Sequence, residues 1–340
     1  MAVSAEILKN VHAAIQAKDP VGEAFWKAKH GEIEALTAAG VIKQLPVESP
    51  PQAAPVELVS ASITPTESAA QTLPVPNFYI KRAIEGLVLP SVDQLMTTAH
   101  KKIKDNFEGN LEIPQPPSDL FNTLQGFAER GIAHFDEVYY LPERRMTEKD
   151  KFWEAKGRVK PEPYFWQQVE NGNYPASATV LEEGWRIGER LGKPMYANGQ
   201  QRYTKDDYME PLMKYLRDLG PKNGGIEVYK KVPETSRFGA SPRKIEGVIL
   251  PKFAEMTEAR GGVENMSYLE FNVWGNMAHP EWGKTDTWQW FRDPAFRGGR
   301  RLIGGYSHSG GLAGVNDDSV GSRHDFTAFS PVVRFPSKPR

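Results

Sequence analysis

The chain has 340 residues, with 42 Lys and Arg against 43 Asp and Glu, and it contains no cysteine. This length is enough for one large domain with appendages or for two ordinary domains. The lack of cysteine excludes disulfides, thiolate metal ligands and thiol nucleophiles. A formal net charge of −1 gives no basis for a general nucleic-acid binder.

The N-terminal residues show no targeting pattern. The opening MAVSAEILKN lacks a basic region ahead of an apolar one. No apolar run in the chain approaches the roughly 18 residues of a membrane span. The sequence therefore predicts a protein without a signal peptide or a membrane span, located in the cytoplasm or on a virion.

The first 76 residues divide into two parts. Residues 1–45 predict two short helices, the first capped by Ser4 and ended by Pro20. Two short helices alone are marginally stable, so we expect this segment to pack on another element or to mediate an oligomer or assembly. Residues 46–76 contain seven prolines and no Lys, Arg or aromatic residue, which predicts a semi-stiff linker or a disordered one.

Residues 77–135 have a helical pattern. Ser91 and Gln94 form a capping box after Pro90, and Ser118 opens a second amphipathic segment. We expect these helices to be structural, because apolar stripes at helical spacing ordinarily face a core. The stripe that follows Ser91 consists of Val92, Leu95, Met96, Ala99 and Ile103.

Beyond Asp136 the sequence changes to short apolar stretches between turn residues. The stretch that holds Tyr164, Phe165 and Trp166 is one of them, and it reads as part of a succession of short strands and long turns. A single helix is predicted in this region, from the capping pair Thr204 and Asp207 to Gly220 and Pro221. A lone helix among strands and glycine-rich loops predicts an α+β domain over residues 136–340, built around an antiparallel sheet.

Conventional catalytic motifs are missing. The chain has neither HExxH nor a glycine-rich phosphate loop followed by a helix. Ser307-His308 and His324-Asp325 supply a nucleophile, a base and a carboxylate. Adjacent residues on a strand point to opposite faces, so a hydrolase triad would have to be assembled across loops.

A calcium site is the one cofactor that the sequence suggests. Asn316, Asp317 and Asp318 are hard oxygen ligands of the kind that calcium prefers. The same three residues are ordinary in turns. Both interpretations stay open, and the sequence requires no cofactor.

The last seventy residues carry three landmarks in order. They are WQWFRDP at 288–294, GRRLIGGYS at 299–307 and FSPVVRF at 329–335. This order resembles the C-type-lectin fold of formylglycine-generating-enzyme-like proteins, where a Trp-x-Trp segment, an arginine-rich strand into Gly-Gly and a final short strand follow one another. The resemblance covers about the last 70 residues well and residues 136–270 loosely.

The resemblance implies a C-type-lectin-like domain with short antiparallel sheets and long loops. The chain departs from the catalytic members of the family. The copper-dependent oxidases need cysteine, which is absent, and the iron-dependent relatives need a histidine cluster that His100 and His134 alone do not supply. Structural roles are implied for Trp288, Trp290, Gly304, Gly305 and Arg334.

A subset of this fold comprises the variable proteins of diversity-generating retroelements, whose C-terminal residues are randomised to make ligand-binding surfaces. In that system adenines are mutated, and AAC or AAT codons never become Lys, Glu, Gln, Met or Trp. Residues 303–337 contain none of these five types. The resemblance therefore predicts a non-enzymatic ligand- or receptor-binding protein with a diversified surface at 303–330.

The expected surface mixes aromatic anchors with adaptable hydrogen-bonding groups, which is the chemistry of a paratope. Its ligand would be a protein or a glycan. Two alternatives stay open: a phage or virion tail protein with structural or receptor-binding roles, and a hydrolase-like enzyme that uses Ser, His and Asp of the same loops. The predicted ligand-binding residues are Tyr306, His308, Asn316, Asp317, Arg323, His324 and Phe326.

Overall fold

The computed structural model describes Tyr79 and residues 88–109, 111–192, 194–197, 199–203 and 207–336. The helical segment predicted at 1–45 and the linker predicted at 46–76 lie outside these residues. Within the described part, no helix is both long enough and apolar enough to cross a membrane.

The described chain is a mixed α+β structure, as the sequence predicts. Helices and short strands alternate along it, and the strands form two four-stranded sheets and two two-stranded sheets. The helices are α1 Val92–Asn106, α2 Ser118–Glu129, α3 Pro163–Glu170, α4 Glu210–Leu219, α5 Leu250–Thr257 and α6 Tyr268–Ala278. The strands are β1 Glu137–Leu141, β2 Arg144–Arg145, β3 Val180–Leu181, β4 Gly184–Gly188, β5 Met195–Ala197, β6 Gln200–Arg202, β7 Gly262–Asn265, β8 Trp288–Ala295, β9 Arg300–Gly304, β10 Val315–Ser319, β11 Thr327–Phe329 and β12 Pro331–Phe335.

Helix α1 begins where the sequence predicts. The Ser91 hydroxyl accepts a hydrogen bond from the Gln94 amide at 3.2 Å, and the Gln94 side chain accepts one from the Ser91 amide at 2.8 Å. This reciprocal capping box satisfies two amides that a helix start leaves without partners. The helix buries Leu95, Ala99 and Ile103, which belong to the predicted stripe.

The expectation of a single helix after Asp136 is wrong, because α3, α4, α5 and α6 all lie there. The stretch with Tyr164, expected among short strands, forms α3, whose first residue is Pro163; proline is pre-organised for that position. Helix α4 begins at Glu210, later than the capping pair indicated, and the Asp207 carboxylate accepts a hydrogen bond from the Met209 amide at 2.9 Å.

The first sheet has the order β1-β4-β12-β7, and all of its strands are antiparallel. The second sheet has the order β10-β9-β8-β11. Strands β8, β9 and β10 are antiparallel, while β11 joins β8 in parallel. The end of the chain contributes one strand to each sheet. Strand β11 belongs to the second sheet, and β12, which follows it, belongs to the first.

One hydrophobic core connects residues before and after Asp136. The ring of Phe127 on α2 stacks on Phe135 with centroids 5.1 Å apart, and Phe135 stacks on Tyr208 at 5.2 Å. Phe253 on α5 packs against Phe127 and Phe135. The helices at 88–129 are therefore packed into the same core as the sheets that follow.

A buried ionic cluster anchors the segment that leads from residue 237 to residue 243. The Arg237 guanidinium is fully buried, and it bonds the carboxylates of Asp207 at 2.6 Å and Glu189 at 2.7 Å. A buried charge is tolerated when it is paired and hydrogen-bonded in this way. From the anchored segment, the Gly239 amide donates a hydrogen bond to the His324 carbonyl at 2.9 Å, and this bond positions the loop before β11.

Candidate ligand-binding surface

One face of the second sheet carries most of the predicted site. Residues directly opposite one another in antiparallel strands share a face, and the register pairs Ile303 with both Trp290 and Asn316. Since side chains two apart also share a face, Trp288 and Asp318 lie on it too. We call this side of the β10-β9-β8-β11 sheet the aromatic face. Trp290 and Ile303 are buried at its centre, and Asn316 is exposed at its edge.

A histidine and an aspartate are joined across the aromatic face. The Nε2 atom of His324 lies 2.6 Å from Oδ2 of Asp318, and both side chains are about one quarter exposed. The other carboxylate oxygen accepts hydrogen bonds from the Ser322 hydroxyl at 2.8 Å and the Ser319 amide at 2.6 Å. Burial acts to raise the pKa of Asp318, but these hydrogen bonds outweigh it and hold the pKa below its usual value.

The ring of His324 is also held by aromatic stacking. Its centroid lies 4.9 Å from the Phe326 ring, with an interplanar angle of 24°. The His324 centroid also lies 6.0 Å from the Trp290 ring, with an interplanar angle of 29°. Contacts with an aspartate and with two rings leave His324 little freedom, although part of it faces solvent.

A second aromatic group lies at the start of β8. Trp288 is half-buried, and its ring stacks on Tyr306 with centroids 5.3 Å apart. Tyr306 in turn contacts the exposed ring of His308 at 5.4 Å. The turn that carries them is fixed by the backbone, because the Ser307 amide donates to the Thr285 carbonyl at 2.8 Å and the Gly311 amide donates to the Tyr306 carbonyl at 2.9 Å.

Two glycines let β9 pass into this turn. A Cβ at Gly304 would lie 2.6 Å from the Gly314 carbonyl oxygen and 2.9 Å from the Phe291 ring, so a larger residue would displace one of them. Gly305 has a φ of 83°, a conformation that side-chain-bearing residues rarely adopt. Both positions connect the scaffold strand to Tyr306.

The other residues with implied structural roles lie in the interior. Trp290 is fully buried on β8. Arg334 lies on β12 in the first sheet, where its guanidinium bonds Glu264 at 2.8 Å and also contacts Glu182. Arg292 contacts the same two carboxylates at 3.3 and 2.9 Å, so two arginines and two glutamates neutralise one another.

Asp317 does not join the rest of the predicted surface. It points to the opposite side of the sheet from Asn316 and is 7% exposed. Its carboxylate accepts a hydrogen bond from the Tyr174 hydroxyl at 2.9 Å and contacts the Arg300 guanidinium. Arg323 lies at the far end of the loop, where its guanidinium is 5.3 Å from the centroid of Tyr229.

In the described part of the chain, the side chains that the sequence offers for hydrolysis or for calcium binding do not form a site. In the described part of the chain, no hydrogen bond joins a serine hydroxyl to His308 or His324, and the Ser322 hydroxyl bonds the carboxylate of Asp318 instead. Asn316 and Asp318 lie on one face and Asp317 on the other, so their oxygens diverge. Among the described residues, no group of three or more His, Asp or Glu side chains could hold a metal ion.

Sequence reasoning missed Asp318 as a member of this surface. The sequence points to Asp318 only as a calcium ligand or as part of a turn. The signal that could have found it is the period of two in a strand, which places Asp318 beside Asn316 and away from Asp317. The resemblance likewise implies a purely structural role for Trp288, whereas its ring contacts Tyr306 and is half-exposed.

Comparison with protein-family models, curated proteins and solved structures finds no match for this chain. What the surface can do follows from its own side chains. Tyr306, His308 and Phe326 present aromatic area, and Asn316 and His324 present hydrogen-bonding groups. Stacked rings with polar edges supply contact area at a low cost in conformational entropy, so the arrangement suits non-covalent recognition.

Proposed function

We propose that this chain is a ligand- or receptor-binding protein that displays a diversified C-terminal surface on a C-type-lectin-like scaffold. One observation carries the proposal: residues 303–330 combine accessible side chains in a turn and a loop with buried side chains that belong to the sheet. Asn316, His308 and Phe326 reach solvent, whereas Ile303 and Thr327 are buried. Such a segment can vary at its accessible positions while its buried positions keep the fold.

The composition of the segment supports diversification. Residues 303–337 lack Lys, Glu, Gln, Met and Trp, which are the types that adenine mutation of AAC or AAT codons does not produce. The predicted binding residues that reach solvent are Tyr, His, Asn, Arg and Phe, all of which such codons reach. Trp288, which contacts the surface from β8, lies outside the segment and would be a constant member of the site.

The scaffold part of the proposal rests on the order of the strands. The three sequence landmarks become β8, β9 and β12, and β12 lies in the middle of the first sheet. A final strand held between two neighbours fixes the C-terminal end of the variable segment, and the pairing of β9 with β8 fixes its beginning. The loop surface is thus held at both ends, as a lectin-like binding site requires. Its ligand would be a protein or a glycan.

The direct test is a pair of display libraries made in the full chain. One library randomises Tyr306, His308, Asn316 and Phe326, and the matched control randomises the buried residues Leu302, Ile303, Thr327 and Phe329. The first should stay folded in most clones and yield binders to an arbitrary immobilised test protein, because surface positions lack packing to lose. The control should unfold in most clones. General unfolding of the first library would overturn the proposal.

A genomic observation tests the diversification separately. The DNA near the coding region should contain a near-copy of the segment for 303–330 that differs at adenines, beside a reverse-transcriptase gene. If the surface binds a ligand but no such copy exists, the binding part of the proposal stands and the diversification part is wrong.

A further inference from the structure

The ring of His279 is joined to two carboxylates on different parts of the chain. His279 follows α6 directly, and its Nε2 atom lies 2.7 Å from Oε2 of Glu137 at the start of β1. Its Nδ1 atom lies 3.0 Å from Oε1 of Glu281. Glu281 belongs to the turn Pro280–Lys284, a short 3₁₀ helix. The histidine therefore links this turn to the first strand.

The two contacts require a charged ring. A neutral imidazole carries one N–H, so it can donate to one carboxylate, and its other nitrogen would present a lone pair to the second. The imidazolium donates from both nitrogens. Burial of the ring acts to lower the pKa of His279, but the hydrogen bonds and charges of Glu137 and Glu281 outweigh it and raise the pKa above its usual value.

The groups around His279 act on this charge in both directions. The ring stacks on Trp282 with centroids 4.4 Å apart and an interplanar angle of 5°, and an aromatic face attracts a cation. Lys102 on α1 and Arg190 after β4 also interact with Glu137, and their positive charges oppose another cation nearby. The two carboxylates and the indole together therefore hold the imidazolium.

The turn that His279 holds leads directly into the candidate binding surface. Thr285 follows the turn, and it forms a β-bridge with Tyr306. Its carbonyl accepts a hydrogen bond from the Ser307 amide at 2.8 Å. The position of Pro280–Lys284 therefore determines where the backbone that carries Tyr306 lies.

The same turn approaches the far end of the Tyr306 loop, which we define as residues 306–311. The Gly311 amide closes this loop by donating to the Tyr306 carbonyl at 2.9 Å. A Cβ at Gly311 would lie 2.5 Å from the Gly283 carbonyl oxygen, so the two backbones are in close contact. A displacement of the turn would therefore move both ends of the loop.

We propose that His279 is a pH-sensitive clamp: as the imidazolium it holds the Pro280–Lys284 turn to β1, and loss of its proton loosens the turn and, with it, the Tyr306 loop. The clamp is complete below the ordinary histidine pKa of about 6.5, and it is lost as the pH rises through the higher pKa of the folded state. This inference goes beyond the proposed function, because it needs neither a ligand nor a diversified segment.

The test is an NMR titration of the full chain, labelled with ¹⁵N-histidine and ¹⁵N-glycine, from about pH 5 to about pH 9. Through-space contacts with the Trp282 ring identify the signals of His279, whose ring nitrogens report its protonation. The amide of Gly311 reports the position of the Tyr306 loop. His279 should titrate above about pH 6.5, and the Gly311 amide should shift with the same midpoint.

Two variants connect the two midpoints. Glu281→Gln removes one carboxylate at an exposed position, so it should fold, and the midpoints of His279 and Gly311 should move together to lower pH. A shift of Gly311 caused by His308, on the same loop, would not move in this variant. In His279→Gln the transition at Gly311 should vanish.

Glu170→Gln is the matched control, because it removes an exposed carboxylate at the end of α3 and should move neither midpoint. A His279 midpoint at or below about pH 6.5 would overturn the proposal. So would a Gly311 amide without a transition at the His279 midpoint, or a Gly311 midpoint that stays fixed in Glu281→Gln. The parent chain and Glu281→Gln decide the matter even if His279→Gln fails to fold.

Discussion

The Nε2 atom of His324 lies 2.6 Å from the Oδ2 atom of Asp318. The pair links the edge strand β10 to the loop before β11, so the carboxylate of a strand residue determines where the loop ring lies. Because the His324 ring stacks on Phe326, the same contact also orients an accessible aromatic residue. The shape of the surface thus depends on one polar contact that the loop makes with its own sheet.

Replacing Asp318 with Asn should reduce stability near neutral pH by about 1 kcal/mol, the usual size for a partly exposed charge-assisted contact. The folded pKa of Asp318 is lowered, so its stabilisation is present above the unfolded pKa of about 4 and is lost as the pH falls through the folded value. Urea unfolding at pH 7 and at about pH 3 should therefore show a difference from the parent that shrinks in acid.

The control for this prediction is Asp325→Asn, which changes the aspartate next to His324 and should leave stability almost unchanged. If Asp318→Asn lowers the free energy of unfolding by the same amount at both pH values, the prediction is wrong. Such a loss would mean that the carboxylate matters for packing and not for charge.

The two tryptophans of β8 should differ in their contribution to stability. Trp290 is fully buried, so Trp290→Ala should cost about 3–5 kcal/mol, as large core truncations do. Trp288 is half-buried and packs on Tyr306, so Trp288→Ala should cost less, about 1–2 kcal/mol. Chemical denaturation of both variants measures the contrast, and equal losses would show that the ring of Trp288 belongs to the core.

Local patterns predicted some helices well and missed others for physical reasons. Helix α1 has one apolar face and a capping box, so its period and its start are both visible in the sequence. Helix α6 is buried on nearly every side, so it has no polar face to reveal a period. Before α5 the chain passes through a π-helical turn, Ile245–Ile249, and α5 itself carries Pro251, which breaks the ordinary 3.6-residue pattern.

The sequence indicates a candidate segment but not how its side chains are arranged. The paratope-like composition of 303–330 indicated the segment, because the argument needs only residue types. Which side chains share a face depends on strand register, and register is set by long-range pairing such as Asn316 with Ile303. That pairing separates Asp317 from Asn316 and brings Asp318 to His324, six residues away.

Asp293 should make the stability of the protein fall as the pH rises from about 4 to 6. Its carboxylate is buried beside the start of α6, where it accepts a hydrogen bond from the Tyr268 amide at 2.6 Å, and burial raises its pKa to about 6. A raised carboxyl pKa means that the folded state holds the proton more tightly than the unfolded state does, so this stabilisation is lost through that window.

The test compares the parent with Asp293→Asn, which keeps an oxygen to accept the Tyr268 hydrogen bond. Relative to this variant, the parent should lose about 2 kcal/mol of unfolding free energy between pH 4 and 7, from the size of the pKa difference. Urea unfolding at several pH values gives the curve. A constant difference between the two proteins across this range would show that Asp293 does not titrate there.

Alanine substitutions at two adjacent residues of β10 should change stability by very different amounts. Asp317 is buried and contacts Tyr174 and Arg300, so Asp317→Ala removes the carboxylate that the Tyr174 hydroxyl and the Arg300 guanidinium both contact. We expect a loss of about 2–4 kcal/mol, the range for removing one partner of a buried polar group. Asn316 is exposed on the other face, so Asn316→Ala should change stability by no more than about 0.5 kcal/mol. Thermal and urea unfolding of the two single variants provide the measurement. If Asn316→Ala were the more damaging change, the register of β10 on β9 would be shifted by one residue, and the assignment of side chains to the aromatic face would have to be reversed.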